Sequence, residues 1–256
     1  MYQLKSYIKF LLSATNQHGV HSPFVYNFVT NCLYDKTKHL AYKDLHHYRQ
    51  ILKSSKEVLE ITDLGEGSKV LDSNRRMVSA MVNTSSSSIK EAQLLFRIAQ
   101  YFNLNTILEL GTSLGVGTFA LALGSKASKI TTIEGCPNTA NYARLRLNDF
   151  DLNSVEVITG SFEDSIPTLK QETFDGIYID GHHNKAATIQ YFEALLSTVH
   201  NDSVVIIDDL YWSKGMTEAW EYIKAHKAVT VTVDCFHLGF VFFRKEQEKQ
   251  HFKIRL

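Results

Sequence analysis

The stretch Ile107–Thr118, ILELGTSLGVGT, constrains the fold more than any other part of the chain. Its apolar first residues predict a buried β-strand, which runs into a glycine turn at Gly111, Gly115 and Gly117. An apolar helix follows at once, over residues 119–123. Glycine lets a ligand approach the backbone closely, and a helix start offers unpaired N–H groups. The stretch therefore predicts a strand, turn and helix that bind a nucleotide-like ligand.

The charge of that ligand is indicated by Glu109, an acid inside the predicted strand. A carboxylate beside the turn disfavours a phosphate and favours a cation. S-adenosylmethionine carries a positive ammonium and a positive sulfonium, so it fits this position better than a dinucleotide does.

Composition bounds the class of protein. A chain of 256 residues with zero formal net charge suits one α/β domain with an extension. The front is modestly basic and the remainder acidic, which favours a small-molecule enzyme over a nucleic-acid scaffold and leaves RNA open. Cys32, Cys136 and Cys235 are odd in number and scattered, which indicates reduced thiols and a cytoplasmic location. The apolar core at 10–12 is too short for a signal peptide, so we expect no membrane partner.

The front of the chain is predicted to be a helical extension over residues 1–84. Apolar spacing predicts helices at 2–13 and about 40–60, and Ser22-Pro23 is a typical helix start. We expect this extension to shape the acceptor pocket of a cofactor-binding domain at 85–256.

Residues 63–88 contain a second glycine pair, Gly65 and Gly67. No apolar helix follows these glycines, so a mobile surface segment, as a lid or linker, is preferred to a second nucleotide turn.

Beyond Ser88, which opens a capping box with Glu91, strands and helices alternate. Near-continuous apolar strands in such alternation predict a parallel sheet covered on both faces. After the central strand, the strands are predicted at residues 129–135, 155–160, 174–181 and 203–209. The last two runs, 229–236 and 240–244, are joined too closely for a crossover and predict an antiparallel hairpin.

Polar residues collect where these strands end, which is where a doubly wound sheet binds its ligand. Glu134 ends the second strand, where a ribose diol expects a double acceptor, although it could also be a loop acid or helix cap. Asp180 ends the fourth strand and Asp208-Asp209 the fifth.

The ordered set ELGTSLGVGT, TIEGCP, TGSFEDSIPTL, FDGIYIDGHH and VVIIDD, closed by a hairpin, resembles a class I S-adenosylmethionine-dependent methyltransferase. Within that class it is similar to the O-methyltransferases of the catechol and caffeoyl-CoA type, over about residues 85–246. The resemblance implies an α/β, doubly wound, Rossmann-like and mostly parallel seven-stranded sheet with a C-terminal antiparallel β-hairpin.

The resemblance also implies a cofactor site. Glu109 would face the methionine amino group, and Glu134 would hold the ribose hydroxyls. Ser161 and Phe162 would flank the adenine. The full implied set is Glu109, Gly111, Ser113, Gly115, Gly117, Glu134, Gly135, Ser161, Phe162 and Asp180.

A divalent metal, Mg²⁺ by preference, is implied on Asp180, Asp208 and Asp209. Such a cation would ease loss of the acceptor's proton. Asp209 departs from the catechol-type pattern, which has asparagine, and either of the paired acids could instead cap the next helix.

His183 stands where that pattern has a catalytic lysine, and Lys185 is close by. A histidine titrates near neutrality and suits a base, with a supporting or surface histidine as the alternative. We therefore interpret Asp180, His183 and Lys185 as the catalytic candidates.

The sequence thus predicts a metal-assisted O-methyltransferase for a small hydroxylated acceptor, with a homodimer left open. The first alternative keeps the fold and cofactor but methylates a modified tRNA uridine. A nicotinamide-dependent dehydrogenase and a non-catalytic binding module are more distant alternatives.

Overall fold

The chain alternates helices and strands in a computed structural model that describes residues 1–62, 74–84, 86–125 and 129–256. The predicted glycine segment around Gly65 and Gly67 lies outside these residues. The helices are α1 (Tyr2–Ser13), α2 (Pro23–Phe28), α3 (Ala41–Ser54), α4 (Val78–Thr84), α5 (Ile89–Tyr101), α6 (Val116–Gly124), α7 (Pro137–Asn148), α8 (Phe162–Ser165), α9 (Lys185–Leu195) and α10 (Lys214–Ala225). The strands are β1 (Val58–Glu60), β2 (Arg75–Met77), β3 (Thr106–Leu110), β4 (Lys129–Glu134), β5 (Val155–Thr159), β6 (Phe174–Ile179), β7 (Val199–Ile207), β8 (Val231–Asp234), β9 (Gly239–Phe242) and β10 (Gln250–Lys253).

The chain forms two compact units, and the first unit is Lys36–Ser165. Its strands β3, β4 and β5 pair in parallel in that order, as the alternating pattern predicts. Helix α5 begins with the predicted capping box, because Ser88 accepts the Glu91 N–H and the Glu91 carboxylate accepts the Ser88 N–H. Helices α5 and α6 pack so closely that a Cβ at Gly124 would lie 2.2 Å from the Phe96 carbonyl oxygen. This packing fixes the position of α6, the helix that begins directly after the glycine turn.

Two predictions for this unit are wrong. The helix predicted to about residue 60 ends at Ser54, and Val58–Glu60 is a strand paired antiparallel with Arg75–Met77. The mobile-segment interpretation fails for α4, whose Val78, Met81 and Val82 are buried. These three apolar side chains form the buried face of α4, so this part of residues 63–88 is a packed helix and not a surface segment.

The second unit combines Met1–Asp35 with Ile166–Leu256. Its strand order is β10-β8-β9-β7-β6, with β6 and β7 parallel. Strand β9 pairs antiparallel with β8, which confirms the predicted hairpin, and it also pairs antiparallel with β7. Strand β10 pairs in parallel with β8 and was not predicted. In the described residues the larger sheet has eight strands, one more than expected.

The predicted helix at 2–13 is confirmed as α1, and it packs within this second unit. The Phe10 and Tyr211 rings lie 6.4 Å apart between centroids, and the Tyr2 hydroxyl donates to Thr217 Oγ1 at 2.9 Å. Helix α1 therefore contacts the segment that follows β7. The predicted boundary at residue 84 and the role of the extension stay predictions. None of the helices in the described ranges has the length and hydropathy needed to cross a membrane.

Candidate functional site

The glycine turn follows β3 and leads into α6. Gly111 and Gly115 have φ angles of 105° and 78°, in the left-handed region that glycine adopts without strain. Between them Ser113 also has a positive φ, of 47°. The Gly115 N–H donates to the Thr112 carbonyl at 2.8 Å and closes the turn. The predicted strand, turn and helix are confirmed, and Gly117 lies in the first turn of α6.

Glu109 is buried beneath this turn, with a side chain that is 1% exposed. Its Oε2 accepts hydrogen bonds from the Thr118 hydroxyl and, at 2.6 Å, from the Thr132 hydroxyl. Because Thr132 uses its proton on Glu109, the Thr112 hydroxyl 2.6 Å away is the donor to Thr132. Glu109 thus fixes α6 and β4 against β3 and adds negative charge below the turn. Its contact with a methionine amino group stays a prediction.

Glu134 lies at the end of β4, and its two carboxylate oxygens accept different backbone N–H groups. Oε2 accepts from Ser113 in the glycine turn, and Oε1 accepts from Cys136 before α7, both at 2.9 Å. These two hydrogen bonds orient the side chain beside the turn.

The predicted adenine residues follow β5. Ser161 directly precedes α8, and its hydroxyl accepts the Asp164 N–H at 3.1 Å and donates to Asp164 Oδ2 at 2.7 Å. Phe162 is buried, and Gly135 lies in the bend between Glu134 and Cys136. The adenine contacts of Ser161 and Phe162 stay predictions.

In the second unit, Asp180 and Asp208 directly follow β6 and β7, whose last residues Ile179 and Ile207 are paired. The Tyr178 hydroxyl lies 3.1 Å from Asp180 Oδ2 and 3.4 Å from Asp208 Oδ2. Parallel strand ends thus bring two of the predicted carboxylates to one hydroxyl.

His183 lies between Asp180 and the third acid, Asp209. Its Nε2 is 3.7 Å from Asp180 Oδ1, and its Nδ1 is 3.9 Å from Asp209 Oδ2. Asp209 has a positive φ of 54°, and its N–H donates to Asp208 Oδ1 at 2.8 Å. The ring of Trp212 lies 6.3 Å from that of His183. The acids and the histidine predicted from sequence are therefore neighbours.

Asp180, Asp208 and Asp209 offer only carboxylate oxygens to a metal ion. Carboxylate oxygens are the ligands that Mg²⁺ prefers. Within the described ranges, however, no three His, Cys, Asp or Glu side chains form a group arranged to hold a metal ion. The contacts connect the acids through Tyr178 and His183 instead. The carboxylate oxygens are suitable ligands for Mg²⁺, but the described side chains are not arranged around one position. The metal therefore stays a prediction.

Two further expectations concern residues near this cluster. The ammonium of Lys185 donates to Glu218 Oε2 at 2.9 Å, on the face of α9 that meets α10. Its catalytic role stays a prediction. The alternative in which Asp208 or Asp209 caps the next helix is wrong, because Ser213 caps α10 through the Met216 N–H.

Several residues that hydrogen-bond to the site acids or to the glycine turn were not predicted from the sequence. Tyr178 had a signal, since residues two apart in a strand share a face and Asp180 follows at that spacing. Thr118 and Thr132 contact Glu109 from other elements, and Tyr48 reaches the glycine turn from α3. Such distant pairings leave no local pattern.

Comparisons with known proteins agree with this geometry. The family profile described as "Methyltransferase domain" matches residues 108–210. The catechol O-methyltransferase of Mycobacterium tuberculosis is 28% identical over 131 residues, which span 50% of this chain and 59% of that relative. A human tRNA (uracil-5-)-methyltransferase homolog A is 40% identical over 55 residues, 22% of this chain and 9% of that protein.

The fold is also that of solved methyltransferases. The O-methyltransferase of Bacillus cereus, in complex with S-adenosylhomocysteine, superposes with a TM-score of 0.54 at 21% identity, covering 85% of this chain and 96% of that one. Residues 108–210 of the chain therefore match a methyltransferase domain, and the chain has the fold of solved methyltransferases.

Proposed function

We propose that this chain is an S-adenosylmethionine-dependent O-methyltransferase that methylates a hydroxyl of a small molecule. The mycobacterial relative, a catechol O-methyltransferase, supports an acceptor of that class. The position of His183 between Asp180 and Asp209 is the observation on which the reaction type depends.

In the proposed reaction the acceptor oxygen attacks the methyl carbon of the sulfonium. The carbon–sulfur bond breaks with its electron pair on sulfur, which leaves S-adenosylhomocysteine. Because the carbon is already activated, positioning contributes most of the rate. The acceptor proton passes to His183, and the carboxylates of Asp180 and Asp209 place negative charge beside the imidazolium that forms.

The cofactor half of the proposal uses the first unit. Glu134 would accept the ribose hydroxyls, while Glu109 adds negative charge below a turn that receives a cation. Gly111 and Gly115 leave the backbone open to close approach.

Metal assistance is a separate part of the proposal. When bound, Mg²⁺ would stabilise the ionised acceptor oxygen, with Asp180, Asp208 and Asp209 as its ligands. The described side chains are not grouped to hold the ion, and the proposed proton transfer to His183 does not require it.

Transfer of a labelled methyl group from S-adenosylmethionine tests the proposal, with catechol and unmodified tRNA as separate acceptors. We expect labelled catechol, and a large fall in that activity in His183→Ala with S-adenosylhomocysteine affinity within twofold of wild type. Labelling of tRNA alone would support the RNA alternative, which now depends on a 55-residue likeness. Cofactor binding without transfer to any hydroxylated acceptor would support the non-catalytic alternative.

A further inference from the structure

Tyr48, in α3, contacts the glycine turn from outside the segment that predicted it. Its hydroxyl donates to the Leu114 carbonyl oxygen at 2.8 Å. That carbonyl belongs to the peptide that joins Leu114 to Gly115, whose N–H closes the turn on Thr112. The hydrogen bond therefore fixes the orientation of a peptide inside the predicted cofactor turn.

The ring of Tyr48 is held firmly enough to direct this hydroxyl. It stacks on Phe119 with centroids 4.5 Å apart and planes 11° apart, and it meets Phe150 edge-on at 5.4 Å. The side chain is 1% exposed. Burial raises the pKa of Tyr48 above its ordinary value, so the hydroxyl keeps its proton and remains a donor.

The position of the hydroxyl also explains why residue 115 is glycine. A Cβ at Gly115 would lie 2.8 Å from the Tyr48 hydroxyl oxygen, closer than real Cβ contacts. The φ angle of 78° adds backbone strain for any other residue. Tyr48 and Gly115 are thus complementary in space.

We propose that Tyr48 is a positioning residue of the cofactor site, whose hydroxyl fixes the Leu114–Gly115 peptide and so sets the affinity for the adenosyl cofactor. The inference rests on the proposed function, because it assigns the turn to S-adenosylmethionine. If Tyr48 only packed against its neighbours, its aromatic ring would be sufficient, and phenylalanine would replace it without loss. The hydroxyl is therefore the group to test.

The first experiment measures S-adenosylhomocysteine affinity by calorimetry and stability by urea unfolding, both on the full chain. Tyr48→Phe should raise Kd about fivefold, equal to about 1 kcal/mol, and raise KM for S-adenosylmethionine with kcat within twofold. Phe150→Leu, which removes packing but keeps the hydroxyl, should lower stability with Kd within twofold. Tyr142→Phe is the matched control, since among the described residues its buried hydroxyl has no hydrogen-bond partner, and Kd should not change.

A double-mutant cycle gives a second measurement. Gly115→Ala should weaken binding less in the Tyr48→Phe background than in wild type, because removing the hydroxyl relieves the contact. Additive effects, an unchanged Kd in Tyr48→Phe, or a Kd that follows stability across Tyr48→Phe and Phe150→Leu would each overturn the inference. A wild-type chain that binds no S-adenosylhomocysteine would contradict the proposed function itself.

Discussion

Ser113 donates its backbone N–H to Glu134 Oε2 at 2.9 Å, which joins the glycine turn after β3 to the acid that ends β4. The second oxygen of the same carboxylate accepts the Cys136 N–H. The acid that is expected to hold the ribose is therefore oriented by the turn that is expected to receive the rest of the cofactor.

Glu134→Ala should weaken S-adenosylhomocysteine binding by about 2–3 kcal/mol, because it removes a pair of charge-assisted hydrogen bonds. Calorimetry on the full chain measures the change. Glu156→Ala, which removes an exposed carboxylate from β5, is the control and should leave Kd unchanged. Equal affinities for wild type and Glu134→Ala would show that this acid does not hold the ribose.

Thr132→Val should lower the free energy of unfolding by about 1–3 kcal/mol, since it leaves the buried Glu109 carboxylate with one donor fewer. Urea denaturation measures the loss. Thr131→Val, whose side chain points to the opposite face of β4 by strand alternation, should cost less. A smaller loss for Thr132→Val than for Thr131→Val would contradict the support assigned to this hydrogen bond.

The sequence predicted the local units and the strand-end acids, because apolar periodicity, glycine turns and caps are encoded within a few residues. The capping box at Ser88 and the hairpin of β8 and β9 are examples. It did not predict β10, which pairs Gln250 with Val231 of β8 across the strand β9 that intervenes in the sequence.

The candidate site shows the same division. Glu134 and Asp180 were found from their positions at strand ends. Tyr48 was not, because its contact with Leu114 joins residues 66 positions apart. The position of His183 beside Asp209, a residue with a positive φ, likewise had no specific signal in the sequence.

His183→Ala should lower kcat by about 10²–10⁴-fold, the usual contribution of a general base, with S-adenosylhomocysteine affinity within twofold. His200→Ala, which removes a histidine paired with Asp175, is the control and should retain wild-type turnover. Turnover of His183→Ala equal to that of wild type would exclude His183 as the proton acceptor.

Chelation tests the metal separately. If Mg²⁺ assists, EDTA should abolish turnover and added Mg²⁺ should restore it, with cofactor affinity nearly unchanged. Undiminished rates in EDTA would rule out metal assistance and leave proton removal to His183.

Burial raises the pKa of Asp234 above its ordinary value of 3.8, although hydrogen bonds from Tyr211 and Phe236 oppose the shift. The folded state then holds the proton more tightly than the unfolded state. The resulting stabilisation is complete below about pH 3.8 and is lost as pH rises through the raised pKa. Relative to wild type, Asp234→Asn should therefore gain stability as pH rises across this range.

Urea unfolding between pH 3 and pH 7 measures this difference. Asp151→Asn removes an exposed carboxylate and serves as the control. A wild-type pH profile parallel to that of Asp234→Asn would contradict the prediction.

Calorimetric titration of the full wild-type chain with S-adenosylhomocysteine and, separately, with NAD tests the central claim most directly. The acids Glu109 and Glu134 beside the glycine turn predict micromolar binding of S-adenosylhomocysteine, roughly −7 to −8 kcal/mol, and no measurable binding of NAD. Clear binding of NAD with no heat from S-adenosylhomocysteine would contradict the account and return the chain to the dehydrogenase interpretation.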